Sequence, residues 1–266
     1  MIKKIIHFGK KKQYMKGSKF FSLLVVGDNP EELLEKYDGN KKVNPYVKYK
    51  FDDAGKLKKN AIKLIGKIIE SKDDAQLSDA VVEYLKERKK SIASLSDFEY
   101  YNAITNGMEY NENGDAISYD NPDAKWKTYN IGKNFSIPFK LFNRDEQVFQ
   151  AENKDIDWNY LNTCNEKLYE LAWKLFHNEV EPQNDKEKEI QNNVLGQGNY
   201  FSRFKSMEEY VIYSSRYWTN AILDETGWYD MDGKDTYKWI ANFHDKYIKK
   251  LGPNVKLTIY ECTKAE

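Results

Sequence analysis

The order of apolar and polar residues near the start of the chain predicts a strand, a short helix and a second strand. Phe20–Val26 is a block of mainly aliphatic and aromatic residues, which is typical of a buried strand. Asn29 is a helix-capping residue and Pro30 suits a first helical position, so we expect a short helix over Glu31–Tyr37. Val43–Phe51 alternates apolar and polar residues over most of its length, which predicts a half-buried strand.

Two longer segments show the periodicity of amphipathic helices, the first between residues 53 and 70 and the second between residues 81 and 95. The first apolar stripe consists of Leu57, Ala61, Leu64 and Ile68, and the second of Val81, Leu85, Ile92 and Leu95. Lysines of the first segment fall on another face of the helix: Lys56, Lys59, Lys63 and Lys67. We expect the apolar stripes to pack against a core.

The middle of the chain carries the signals of β-hairpins. Met108–Tyr119 contains Asn113 and Gly114 between two short strand-like runs, and this dipeptide is the strongest local signal for a tight hairpin turn. Phe135–Phe142 and Gln147–Ala151, separated by the polar residues NRDE, predict a second hairpin.

Helical patterns lie on both sides of these hairpins. Ser96–Glu99 and Ser206–Glu209 have the spacing of helix-capping boxes, and Asn165–Asn178 shows an amphipathic pattern. The last helix is expected to end at Gly252-Pro253 and to be followed by a strand over Val255–Cys262. Its apolar stripe consists of Tyr237, Ile240, His244, Tyr247 and Leu251.

These patterns together predict the α+β class, with antiparallel sheets and hairpins and several packed amphipathic helices, because the strands cluster instead of alternating strictly with helices. We expect residues 1–266 to form one domain. Two subdomains are the alternative, with a boundary near residues 105–125 or 178–190.

The charges of the chain are balanced overall but divided along its length. Residues 1–70 carry 17 Lys and Arg against 8 Asp and Glu, a net charge of +9, and the remainder carries −9. Such a distribution can steer a charged partner to one side of a molecule. The 20 tyrosines suit a protein interface, although a coding bias toward Lys, Asn, Tyr and Ile explains the same number.

The cysteines and the hydropathy favour the cytoplasm. Cys164 and Cys262 are far apart in the sequence, whereas secreted domains usually show a denser, even set, so we expect free thiols. Ile5 and Ile6 form too short an apolar segment for a signal peptide, and no stretch approaches the roughly 20 apolar residues of a membrane span. We expect no membrane association.

Candidate catalytic residues are few and isolated. The histidines are His7, His177 and His244, whose spacing supports neither a metal site nor a triad; we expect His244 at the core boundary and His177 at a helix end. Asp155 and Asp157 are spaced to share one face of a strand and could form a carboxylate pair, without support from a second motif. We therefore expect no catalytic residue, metal or cofactor, and an enzyme whose carboxylates converge only in the fold is the alternative.

The segment from Trp228 to Asp235 holds several acids but is not a calcium loop. Counting from Gly233 as the invariant sixth residue places Trp228, which has no oxygen ligand, at the first position. A turn at Asp232-Gly233 before a helix capped near Asp235 explains the same residues. Gly196 and Gly198 lack the neighbours of a phosphate-binding loop and are expected to form an ordinary loop.

Three stretches carry a resemblance to a known group of proteins: KKVNPYVKYKFDDAGKLKKNAIKL (41–64), KDIDWNYLN (154–162) and the segment 217–251, followed by LTIYE (257–261). With these stretches, most of the chain resembles uncharacterised proteins carried by phages and prophages of low-GC Gram-positive bacteria. The resemblance implies an origin and brings no catalytic motif.

The leading functional hypothesis is a phage accessory protein that binds and inhibits a bacterial defence or host complex without catalysis. The candidate partner-binding residues are Lys56, Lys59, Lys63, Lys67, Trp228, Tyr229, Asp230 and Asp232. The alternative is a nucleic-acid-binding factor that uses the basic N-terminal region, including Lys10–Lys12. The partner's identity and the oligomeric state are left open by the sequence.

Overall fold

The computed structural model describes residues 19–71, 77–142, 144, 146–196, 198–231 and 235–265. The chain forms two compact units: unit 2 comprises Lys41–Asn121, and unit 1 comprises the segments before and after it. The number of independently folding domains stays a prediction.

The described strands are β1 (Phe20–Val26), β2 (Lys42–Tyr49), β3 (Glu109–Tyr110), β4 (Ala116–Asp120), β5 (Trp126–Ile131), β6 (Phe139–Lys140), β7 (Gln147–Val148), β8 (Gln150–Glu152), β9 (Ala221–Asp224), β10 (Gly227–Asp230) and β11 (Lys256–Lys264). The described α-helices are α1 (Pro30–Glu35), α2 (Ala54–Glu70), α3 (Asp79–Ser94), α4 (Asp97–Ile104), α5 (Trp158–Thr163), α6 (Glu166–Phe176), α7 (Asp185–Leu195), α8 (Gly198–Phe201), α9 (Met207–Ser215) and α10 (Thr236–Phe243). This mixture confirms the predicted α+β class.

Unit 1 is built around one mixed sheet with the strand order β10-β9-β1-β11-β5, and β8 also pairs with β11. β1 runs antiparallel to β11 and parallel to β9. Both faces of β1 are buried, Leu24 in a core with residues of α9 and α10, and Leu23 in a second core with residues of α1. A strand covered on both faces needs a nearly continuous apolar sequence, which β1 has.

Unit 2 contains the sheet β2-β4-β3 and the helices α2, α3 and α4. The predicted capping box of α4 is present, because the Ser96 hydroxyl accepts from the Glu99 N–H and the Glu99 carboxylate accepts from the Ser96 N–H. The predicted hairpin β3–β4 is also present, and Gly114 adopts a φ of +78° in its turn. Local side-chain and backbone chemistry decides both features, so the sequence was sufficient to predict them.

The predicted apolar stripe of α2 is partly wrong. Leu64 and Ile68 are 60% and 37% exposed, and the helix buries Ala54, Ile65 and Gly66 instead. The reason is the position of α3: a Cβ on Gly66 would lie 3.3 Å from the Lys89 Nζ, so the neighbouring helix packs on the Gly66 side. α3 shows the same rotation, because it buries Val82 and exposes the predicted core residue Val81.

The last helix departs from the predicted continuous pattern. α10 ends at Phe243 and continues as a π-helical turn over His244–Ile248. Ile240 and Tyr247 from the predicted stripe are buried in the core of unit 1. His244 lies at the boundary, where its ring is 5.6 Å from that of Trp158.

A buried tyrosine organises the core of unit 2. The Tyr101 hydroxyl accepts a hydrogen bond from the Ala116 N–H at 2.8 Å and lies 3.0 Å from the Tyr49 carbonyl oxygen and 2.9 Å from that of Gly114. Tyr101 and Ala116 are 1% and 0% exposed, so water cannot replace these bonds. One side chain of α4 therefore holds β2 and the β3–β4 hairpin together.

A buried glutamate closes the loop after β5 in unit 1. One Glu261 carboxylate oxygen accepts from the backbone N–H groups of the four residues 133–136 at 2.7–3.0 Å, and the other accepts from the Asn134 amide at 3.0 Å. Burial by itself would raise the pKa of Glu261, but the hydrogen bonds from Ser136, Phe135 and their neighbours hold the pKa below the usual value for a glutamate. The charged form is thus the one that the fold binds.

We expect Tyr101→Phe to lower the free energy of unfolding of unit 2 by about 1–3 kcal/mol, because the buried Ala116 N–H loses its acceptor. Urea denaturation measures this change. Tyr119→Phe is the matched control: Tyr119 is 40% exposed and donates to Glu109, so its substitution should change stability by less than about 0.5 kcal/mol. Equal effects of the two substitutions would contradict the assigned role of Tyr101.

We expect Glu261→Gln to destabilise unit 1 by about 1.5–3 kcal/mol at neutral pH, because the amide accepts fewer and weaker hydrogen bonds than the carboxylate. A lowered pKa in the folded state gives stability that is fully present above the unfolded pKa and is lost as the pH falls through the folded pKa. The difference between the wild type and Glu261→Gln should therefore shrink on acidification, in urea titrations at a series of pH values. Glu225→Gln, at an exposed position, should follow the wild type throughout.

Candidate functional site

The lysines predicted to bind a partner share the exposed side of α2. Lys56, Lys59, Lys63 and Lys67 are all exposed, and we call them the lysine face. None of the four forms an ion pair with a residue that the structure describes. The neighbouring Lys58 differs, because it is only 16% exposed and lies 3.3 Å from the Asp97 carboxylate. Among the described residues, the lysine face therefore carries four positive charges that no carboxylate pairs with.

An apolar edge lies beside the lysine face on the same helix. Leu57, Leu64 and Ile68 are separated by seven and four residues, so they line one edge of α2 between its buried side and the lysine face. Leu64 and Ile68 are exposed and Leu57 is half-buried. We call these three residues the apolar edge. The sequence located these residues but placed them in the core.

The predicted binding residues near Trp228 belong to β10, in unit 1. Trp228 is half-buried, with its ring 5.7 Å from the rings of Tyr37 and Trp126, and its indole N–H donates to the Asp230 carboxylate at 2.6 Å. Tyr229 points to the opposite face of the sheet and packs on Tyr247 at 5.7 Å. These residues therefore contribute to the packing of unit 1. Asp232 lies outside the described residues.

The predicted carboxylate pair does not lie in a strand. Asp155 ends a 3₁₀ turn, and Asp157 caps α5 by accepting from the Tyr160 N–H at 2.9 Å. The expectation of two carboxylates on one strand face is therefore wrong, because helix α5 begins immediately after them. Within the described part of the chain, no three His, Cys, Asp or Glu side chains are grouped closely enough to hold a metal ion.

The remaining candidates have structural positions. His177 is the C-terminal cap of α6, as expected for a helix end, and its ring lies 4.2 Å from that of Trp173. Cys164 and Cys262 are free thiols, and burial raises the pKa of Cys262 well above the usual range. Gly196 ends α7 and Gly198 begins α8. His7 and Lys10–Lys12 lie outside the described residues.

A cleft in unit 1 was not predicted from the sequence. It has a volume of about 220 Å³ and is walled by the rings of Tyr200, Phe204, Tyr213 and Tyr237. Arg203 and Glu209 also line it. These residues come from α8 and the turn after it, from α9 and from α10, so no single periodic pattern in the sequence connects all of them.

The polar groups that line this cleft differ in their hydrogen bonding. Glu209 accepts from the backbone N–H of Lys205 at 2.7 Å in the first turn of α9. The Tyr213 hydroxyl is buried and, among the described residues, has no hydrogen-bond partner. Burial raises the pKa of Tyr213 to about 12, and the positive charge of Arg203 opposes this shift. Tyr213 is therefore a neutral phenol at ordinary pH. It lies close enough to Arg203 for the guanidinium charge to affect its pKa.

The chain was compared with protein-family models, with curated proteins and with solved structures, and no match was found. In the described part of the chain, no helix has the length and apolar character needed to cross a bilayer. The similarity to phage proteins stays a prediction.

Proposed function

We propose that the chain is a non-enzymatic binding protein that docks a partner protein on α2, through the lysine face and the apolar edge. The observation that carries the proposal is the exposure of Leu64 and Ile68 beside four lysines without ion-pair partners among the described residues. Exposed aliphatic groups rimmed by charge are typical of protein-interaction sites. The wider hypothesis, a phage accessory protein that inhibits a bacterial defence or host complex, is part of the same proposal.

The charges of α2 define the partner's chemistry. The lysine face needs an acidic surface, and the apolar edge needs aliphatic or aromatic groups beside it. An amphipathic helix with an acidic flank meets both requirements, because its apolar residues recur at the spacing of Leu57, Leu64 and Ile68. We therefore propose such a helix as the docked element.

The free energies of apolar burial and of exposed ion pairs favour a protein partner over a nucleic acid. An exposed ion pair contributes only about 0.2–1 kcal/mol, whereas full burial of a leucine side chain contributes about 1.5–3 kcal/mol. A protein that covers the apolar edge obtains both contributions. A nucleic acid contacts the lysines through its phosphates but leaves the aliphatic groups without a matching surface.

We expect Leu64→Ser to weaken partner binding about tenfold or more at any salt concentration, because the lost contact is apolar.

The double variant Lys59→Glu/Lys63→Glu should weaken binding about tenfold at low salt and less at high salt. The partner is first isolated from bacterial cells with the wild-type chain as bait, and the affinities of the purified proteins are then measured by calorimetry in a salt series.

The matched control is Lys48→Glu/Lys50→Glu, which makes the same charge change at exposed positions of unit 2 that precede α2 and belong to neither the lysine face nor the apolar edge. It should bind the partner as the wild type does. Wild-type affinity in both α2 variants would contradict the proposal. Oligonucleotide binding that is lost in the Lys59/Lys63 variant and unaffected by Leu64→Ser would replace it with the nucleic-acid alternative. Trp228 and Tyr229 are unsuitable for this test, because their truncation also removes packing in unit 1.

A further inference from the structure

The cleft between α8, α9 and α10 has the composition of a ligand site, and it is separate from the surface on α2. Small-molecule sites are concave, largely apolar and aromatic, and contain a few placed polar groups. Four rings and two charged side chains meet this description within about 220 Å³. We propose that this cleft binds a flat aromatic compound that carries an anionic group.

The arrangement of the rings favours a flat ligand. Phe204 contacts both Tyr200 and Tyr213, with ring centroids 5.1 and 5.3 Å apart and interplanar angles of 78° and 56°, so these three rings line the cleft together without sharing one plane. Tyr237 lines the same cleft but, among the described residues, has no ring partner. Its hydroxyl is held instead by Glu208 at 3.1 Å. A planar aromatic ligand suits such a lining, because aromatic rings pack favourably in both offset-stacked and edge-to-face contacts.

The polar groups favour a negative charge on that ligand. Arg203 is the charged side chain whose field acts on the Tyr213 phenol, and a guanidinium binds carboxylate and phosphate oxygens with two parallel hydrogen bonds. Glu209 opposes an anion less than a free carboxylate does, because it already accepts the Lys205 N–H at the start of α9.

Two kinds of compound share this chemistry: mononucleotides and aromatic carboxylates. The first presents a stacking base and a phosphate, and the second a stacking ring and a carboxylate. Adenosine monophosphate and indole carboxylate are suitable probes. Adenosine and indole are their neutral counterparts, so each pair isolates the contribution of the anionic group.

Calorimetric titration of the full chain with the four probes tests the site. We expect at least one anionic probe to bind about tenfold more tightly than its neutral counterpart, and this preference should disappear in Arg203→Gln. Tyr237→Ala should weaken an anionic probe and its neutral counterpart alike, about tenfold, because it removes one stacking surface.

The matched control is Lys205→Gln, which removes an exposed positive charge two residues from Arg203 without changing the lining of the cleft. It should bind as the wild type does. Binding of one anionic probe and not the other identifies the ligand class and supports the site. Failure of all four probes to saturate the wild type up to about ten millimolar, or binding that survives both Arg203→Gln and Tyr237→Ala, would overturn the proposal. Unchanged thermal midpoints establish that the variants are folded.

Discussion

The structure of unit 1 depends on the pairing of β1 with β11, which joins the first and last described strands of the chain. Their register extends from Phe20 opposite Thr263 to Val26 opposite Leu257. β9 adds to the free side of β1, and β5 and β8 add to the free side of β11, so the whole sheet is assembled on this pair. Contacts so distant in sequence carry a large loop-closure entropy, which only an extensive apolar interface offsets. The two cores on either face of the sheet provide that interface.

The side chains of β11 alternate between the two faces of the sheet, so this strand contributes residues to two different cores. Leu257 and Ile259 point into the core with α9 and α10, whereas Tyr260 and Cys262 point into the core with α1. Glu261 shares the face of Leu257 and Ile259, and its charge is tolerated because the loop after β5 surrounds it with N–H donors. A buried charge at this place therefore holds the loop, which Ile137 also anchors by packing against the core.

The features that the sequence predicted depend on interactions between residues that are close together in the chain. The block Phe20–Val26, the capping box at Ser96 and the turn at Gly114 each carry their own chemistry, and the structure confirms all three. The rotation of α2 was not predictable in this way, because Leu64 and Ile65 are neighbours of equal hydrophobicity. The position of α3 decides which of them is buried.

Elements that depend on distant partners were missed. β9 and β10 are four residues each, too short to show a period. Only the pairing of β9 with β1 and of β10 with β9 identifies them as part of the sheet. The cleft is a stronger case, because its lining residues come from three helices and their connections. None of these residues forms a recognisable motif with its sequence neighbours. Sequence patterns describe the surfaces of single elements, whereas this cleft is a property of how several elements pack.

The chain enters and leaves unit 2 along neighbouring strands, since Lys42 in β2 stands opposite Asp120 in β4 and their side chains form an ion pair at 2.7 Å. The two points at which the polypeptide crosses between the units are therefore side by side at one end of a single antiparallel ladder. Segments whose two ends lie side by side are the ones that a folded protein best tolerates as insertions, because the remainder of the chain need not rearrange to accommodate them. We therefore expect that a change in length between Lys42 and Asp120 leaves the strand register of the sheet in unit 1 unchanged.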